Sequence, residues 1–268
     1  MNPKLARLVL SVSLVLFVPY VFAGDAPTWS DSMKTAHANF KGKPGAVACY
    51  GDSITVTMAF FTPLLYELKD MTPEMAAAQA NMKKYVLPDC WRNWKEAANG
   101  NASGTTSDWG ADGIGGWLKK QNPEVAFIMW GTNDSKHGAA GAAYKTNMTK
   151  VVDACIANGT IPVLFTIPPR GDQAGNKQMT ETVEGYVKVV RDLAAEKKIP
   201  LIDFYKEIMD RQPENFAKTL LGDQLHPSYP EGHQNSFSEE SLKLSGYTLR
   251  NYLTLKTFDE IYQNVLKK

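Results

Sequence analysis

Cysteine is scarce in this chain. Three occur in 268 residues, Cys49, Cys90 and Cys155, and no Cys-x-x-Cys pair is formed. That excludes a disulfide-dense scaffold and a thiolate zinc site. The odd count leaves at least one thiol free or paired outside the chain. Cys49 lies in an apolar run and reads as a buried, inert thiol. The four histidines, His37, His137, His226 and His233, lack zinc-helix spacing, so no metal site is expected. An excess of charge is also missing: 29 basic residues face 28 acidic ones, a net charge of +1. Nothing in that balance favours nucleic acid, an anionic membrane or an acidic polymer as partner. Repeats, low-complexity tracts and linkers are absent after residue 44.

What is present begins at the N-terminus. Lys4 and Arg7 precede an apolar run from Leu8 to Phe17, and Val21-Phe22-Ala23 fits the small-x-small pattern of a cleavage site. Residues 1–23 therefore read as a cleaved export signal, which implies a secreted or periplasmic protein with no membrane anchor after cleavage. The uncharged stretch is shorter than the ~20 residues that a spanning helix needs. Residues 24–44 are mixed and polar and read as a surface arm.

From residue 45 onward, short apolar runs alternate with longer segments of helical period. Ala46–Tyr50, Glu124–Trp130, Ile161–Ile167 and Pro200–Phe204 read as strands. Val56–Lys69, Pro73–Tyr85, Ala139–Ala157, a stretch around Val183–Ala194 and Ser245–Leu266 read as helices, with Thr72 capping the second of these. This alternation predicts one α/β domain with a mostly parallel sheet covered on both faces. In such sheets ligands bind at the carboxyl ends of the strands, so the residues after Tyr50, Trp130, Ile167 and Phe204 carry the most information.

Strand one runs into Gly51-Asp52-Ser53-Ile54-Thr55. A serine at such a turn can expose its hydroxyl at the sheet rim, or it can simply cap the next helix. The strand ending at Trp130 runs into Gly131-Thr132-Asn133-Asp134. An asparagine amide there can donate to a developing oxyanion without adding a titrating group, and the same residues also suit an ordinary turn. Near the C-terminus, Asp223 precedes His226 by three residues, and Pro227 follows. On a helical or 3₁₀ turn this spacing lets the carboxylate hold one imidazole nitrogen and leaves the other free to take a proton. In Asn101-Ala102-Ser103-Gly104, Gly104 can bring a backbone N–H close to a substrate.

In this order, the four strings resemble the blocks of the SGNH (GDSL-type) hydrolase family. The resemblance runs from about Ala46 to the C-terminal helix. It implies a three-layer α/β/α flavodoxin-like fold with a mostly parallel five-stranded sheet. It also implies acyl-ester hydrolysis without metal or cofactor. Ser53 takes the nucleophile position, with Asp223 and His226 as acid and base. The N–H groups of Ser53 and Gly104 and the Asn133 side chain form the oxyanion hole. Asp52, Trp130, His137 and Arg170, beside these strand ends, are candidate substrate-lining residues.

Two departures from the family pattern stand out. Residues 71–98 add helices before Gly104, and the second strand expected there is hard to see in Lys95–Gly100. Residues 228–245 are inserted between the His-Pro turn and Gly246-Tyr247. Insertions at the sheet rim often shape a substrate site. His233, within the second insertion, reads as a surface histidine. Trp91, Trp94, Trp109 and Trp117 suit core packing better than sugar stacking. The expected activity is that of an exported serine carboxylesterase acting on a small-molecule or glycan ester, with a carbohydrate O-acetylesterase as the preferred subtype. A lipase or lysophospholipase, an acyltransferase and a non-catalytic glycan-binding protein are the alternatives.

Overall fold

Four of the apolar runs become the strands of one parallel sheet in the computed structural model, which describes residues 26–92, 94–138 and 140–267. The export signal lies outside the described residues. The strands are β1 (Val47–Gly51), β2 (Val125–Met129), β3 (Ile161–Phe165) and β4 (Leu201–Ile202), in the order β1-β2-β3-β4. Val47 pairs with Val125, Val125 with Ile161, and Leu164 with Leu201. Every residue of the first three strands is buried, as a sheet covered on both faces requires.

Where a fifth strand is expected, before Gly104, only one bridged pair forms. Gly51 accepts from the Ala102 N–H (3.2 Å) and donates to the Gly100 carbonyl (3.0 Å), pairing Gly51 with Asn101 in parallel. The preceding Lys95–Gly100 stretch is polar and ends with Gly100 at φ +88°, so it cannot extend as a ladder. The Asn101 side chain replaces part of that ladder, donating to the carbonyls of Cys49 (3.0 Å) and Trp94 (2.7 Å).

Helices cover the two faces. On one lie α3 (Ser107–Gln121), α4 (Ala142–Ala157) and α5 (Lys177–Lys197); on the other, α2 (Pro73–Tyr85) and α8 (Gly246–Ile261). Side-chain alternation along the strands serves both layers. Tyr50 of β1 and Trp130 after β2 meet Trp117 of α3. Phe127 and Phe165 point the other way, onto Phe61 and Phe60. Trp91 stacks on Phe61 and Trp94 meets Phe60 edge-on, so these tryptophans are core residues. The remaining helices are α1 (Ser30–His37), α6 (Phe204–Arg211) and α7 (Glu239–Leu244). The segment read as a surface arm thus contains a helix, α1, whose Met33 and Ala36 are buried.

The helix expected over Val56–Lys69 does not form. Only a 3₁₀ turn at Thr62–Leu65 is present, and Phe61 sits at φ +63°. Pro63 lacks an N–H, and the β-branched Thr55, Val56 and Thr57 disfavour a helix start. Asn251 of α8 satisfies the freed backbone instead. Its amide accepts from the Phe61 N–H and donates to the Ala59 carbonyl, each at 2.9 Å. The second insertion is stitched to the chain just before the first, since the Lys69 N–H donates to the Asn235 carbonyl and the Lys69 carbonyl accepts from the Phe237 N–H. No helix among the described residues is long and apolar enough to cross a membrane.

Candidate active site

The turn after β1 is shaped by residues on either side of Ser53. A Cβ at Gly51 would lie 2.3 Å from Thr55 Oγ1 and 2.6 Å from the Met129 carbonyl, so only glycine fits where β1 ends. Asp52 then closes the turn: its Oδ1 accepts from the Ile54 N–H (3.0 Å), and its carbonyl accepts from the N–H groups of Thr55 and Val56. Ser53 is left half-buried at the rim. Its N–H donates to no protein acceptor among the described residues.

His226 reaches Ser53 from the tip of a hairpin. Leu220 pairs with Pro227, and the Leu221 N–H donates to the His226 carbonyl at 2.7 Å. The expected helical turn is absent. Asp223 itself organises the bend, its Oδ1 accepting from the N–H groups of Leu225 and His226, both at 3.0 Å. Its Oδ2 lies 2.6 Å from His226 Nδ1, and His226 Nε2 lies 2.8 Å from Ser53 Oγ. Partial burial works against the Asp223 charge, but the two N–H groups and the imidazole outweigh it and hold its carboxyl below the ordinary value. Gln224, between Asp223 and His226, takes the left-handed conformation at φ +59°. Its side chain lies over Gly171, where a Cβ would stand 2.0 Å from Gln224 Oε1, and the Gly171 N–H donates to the Gln224 carbonyl at 2.8 Å.

The other two blocks meet the same rim. Gly104 is exposed at φ +78°, and a Cβ there would meet nothing within 4 Å. Asn133 Nδ2 donates to the Thr105 carbonyl at 3.0 Å and makes a longer contact, 3.4 Å, with Asp52 Oδ2. Lys136 Nζ donates to Asn133 Oδ1, the side-chain amide oxygen, at 2.9 Å. One Asn133 N–H is therefore committed, while the other makes only the long contact and is available to a ligand. A proton acceptor beside a hydroxyl, with an unengaged backbone N–H on the same serine, is the equipment of acyl transfer.

The profile of the GDSL-like lipase/acylhydrolase family matches residues 49–234, more than half of the chain. The chain belongs to this family. It is accordingly a hydrolase of ester bonds. Solved structures share the fold of this GDSL-like hydrolase. A lipase/acylhydrolase from Enterococcus faecalis aligns with TM-score 0.53 and 18% identity, over 80% of this chain and 94% of that one. An α/β hydrolase from the metagenome of Lake Arreo, Spain, aligns with TM-score 0.57 and 16% identity, over 82% and 98%. A variant of an acetyl xylan esterase from Geobacillus stearothermophilus gives 0.53 and 16%, over 79% and 93%. No curated protein matches by sequence.

Three of the candidate substrate-lining residues of this GDSL-like hydrolase are not on its surface. Trp130 is fully buried, stacked against Trp117, with its indole N–H donating to Thr105 Oγ1. Asp52 is fully buried, and desolvation pushes its carboxyl up to about 6, although the Ile54 N–H and the charge of Arg250 oppose the shift. Arg170 is a brace: it forks onto Asp172 (3.0 and 2.7 Å) and donates to Ser135 Oγ (3.0 Å), tying the loops after β3 and β2 together. His137 is exposed, and with Thr106, Asp108, Asp134, Asn147 and Tyr186 it lines a hollow of about 430 Å³ beside Asn133. His233 is bonded to Ser241 within the insertion (3.0 Å). Cys49, Cys90 and Cys155 are unpaired, and burial raises each thiol. Among the described residues, no three His, Cys, Asp or Glu side chains are grouped as a metal site.

Sequence reasoning missed two participants, Thr105 and Arg250. The Thr105 carbonyl orients Asn133. Arg250, 1% exposed, donates to the Ile54 carbonyl directly behind Ser53. The available signal was its place in a helix buried nearly all round, where an arginine is out of keeping.

Proposed function

We infer that this protein is an exported serine esterase in which Ser53 is the nucleophile, His226 the base and Asp223 the residue that orients it. The observation that carries this is the unbroken line of contacts from Asp223 Oδ2 through the imidazole to Ser53 Oγ, at 2.6 and 2.8 Å. Asp223 fixes the proton of His226 on Nδ1, so Nε2 is free to draw the proton from Ser53 as Oγ attacks the ester carbonyl. The developing oxyanion accepts from the N–H groups of Ser53 and Gly104 and from Asn133 Nδ2. His226 returns its proton to the departing alcohol. It then takes a proton from the water that attacks the acyl carbon and passes it to Ser53 Oγ as the Oγ–acyl bond breaks, which releases the acid and regenerates Ser53.

The preferred subtype is a carbohydrate O-acetylesterase. The exposure of the acid and base supports it, since the Asp223 side chain is 48% and the His226 side chain 27% accessible. An open rim admits a bulky alcohol portion carrying a small acyl group. Acetyl xylan esterases are among the proteins with this fold. Met58, 42% exposed just after the nucleophile turn, and Leu221, 45% exposed beside Asp223, favour a second reading, a lipase or lysophospholipase with an apolar acyl track. Acetate release from a panel of acetylated glycans, compared with turnover of acetyl to palmitoyl esters and with Ser53→Ala, separates the two. Acetate release lost in Ser53→Ala supports the acetylesterase. A preference for palmitoyl esters sinks it in favour of the lipase. Export is supported by the charged, apolar and small-residue order of residues 1–23.

A further inference from the structure

We propose that the buried guanidinium of Arg250 is a positioning residue for the oxyanion hole, its charge relayed to the Ser53 N–H through two hydrogen-bonded peptide units. The proposal rests on Ser53 being the nucleophile and extends that reading.

The relay can be followed atom by atom. Arg250 Nη1 donates to the Ile54 carbonyl at 2.7 Å, and Nη2 donates to Thr55 Oγ1 at 3.2 Å. The Ile54 carbonyl shares its peptide with the Thr55 N–H, which donates to the Asp52 carbonyl at 3.0 Å. The Asp52 carbonyl shares its peptide with the Ser53 N–H. Each donor draws electron density from the carbonyl it meets and makes the N–H of that peptide a stronger donor in turn. The Val56 N–H adds a second donor to the Asp52 carbonyl, at 2.9 Å. The chain begins on a formal positive charge and ends on an N–H with no protein acceptor.

A purely structural role explains Arg250 poorly. A buried cation is normally paired with a carboxylate. Arg250 forms no ion pair among the described residues, and its Nε has no partner. It lies between Phe60 and Phe165, with Cζ 3.6 and 4.6 Å from the ring centroids, so ring faces replace its hydration. The titratable groups that face it are Tyr247 on its own helix, Cys49 on β1 and Asp52 in the turn. A neutral side chain of similar size would pack in the same space. The tetrahedral oxyanion is an anion that exists only during reaction, so a nearby cation favours that state over the bound ester.

The test uses the full chain with Arg250→Gln and Arg250→Lys, p-nitrophenyl acetate as substrate and phenylboronic acid as a tetrahedral mimic. Wild-type turnover and its loss in Ser53→Ala, run alongside, judge the nucleophile reading separately. Arg250→Gln, checked as folded by its melting curve, is expected to lower kcat by ~10-fold or more with KM nearly unchanged. The boronate Ki should rise by the same factor. Arg250→Lys retains a charge that titrates when buried, whereas Arg250, which burial lowers to about 10, stays charged from pH 5 to 9. Its kcat should therefore fall along a new limb as pH rises, a limb missing from the wild type. A folded Arg250→Gln enzyme with kcat within about twofold of wild type overturns the proposal, on the scale set for loss of an oxyanion contact. If the glutamine variant does not fold, the lysine variant decides. The new pH limb supports the relay, and a profile parallel to wild type overturns it.

Discussion

Replacing Asp223 by asparagine separates its two jobs. Oδ1 accepts two backbone N–H groups that shape the hairpin tip, and an asparagine carbonyl can accept both. Oδ2 meets His226 Nδ1 at 2.6 Å, and there asparagine presents an NH₂ group. A donor at that point forces the neutral imidazole to carry its proton on Nε2, the nitrogen that faces Ser53 Oγ at 2.8 Å. In that tautomer His226 cannot take the serine proton. Trapping the wrong tautomer in a serine triad costs ~10⁴ in kcat. Asp223 is 48% exposed, so the loss of its charge is partly screened, but the tautomer is set by a direct hydrogen bond and is not screened. We therefore expect a fall of about 10³–10⁴, or roughly 4–5.5 kcal/mol of barrier, with KM little changed. Thermal stability should change by less than about 1 kcal/mol, because the backbone bonds survive. The assay is p-nitrophenyl acetate hydrolysis from pH 5 to 9 with parallel melting curves. A folded Asp223→Asn enzyme with near wild-type kcat refutes the reasoning.

Three further outcomes follow from the same geometry. Asn133→Ala should lower kcat by ~10²–10³ with KM little changed; an equal loss carried by KM alone would mean that Asn133 binds substrate rather than the oxyanion. Asp52, with its carboxyl raised to about 6, contributes stability that is fully present below about 3.9 and is lost as pH rises through 6. Urea unfolding at pH 4 and pH 7 should thus show the wild type losing up to about 3 kcal/mol that Asp52→Asn does not lose; parallel pH dependences contradict this. Gly171→Ala drives a methyl group into the Gln224 side chain, with 2.5 Å to its Cβ, and should reduce kcat through the Asp223–His226 bend. Unchanged kinetics in that variant would show that the bend holds itself.

The sheet was legible because its signal is dense. Runs such as Val-Ala-Phe-Ile-Met, buried on both faces, admit few other readings, and the residues after them mark the rim. The proximity of Ser53 to His226, across 173 residues, came from motif order and not from any local pattern. Local signals failed where tertiary contacts supply the hydrogen bonds. The stretch after Ser53 has helical periodicity but is held open by Asn251, and the Asp223–His226 bend depends on a side-chain cap and a left-handed Gln224. Trp130 and Arg170 sit at strand ends, yet one faces the α3 layer and the other braces two loops. Position along a strand gives the rim, but not which side chains turn outward from it.

The central claim, that Ser53 is the activated nucleophile, is tested most directly by covalent labelling. Diethyl p-nitrophenyl phosphate should transfer one diethylphosphoryl group per chain with loss of esterase activity, and peptide mass mapping should find it on Ser53. Label on another residue, or an active esterase that stays unlabelled at Ser53, would contradict the account.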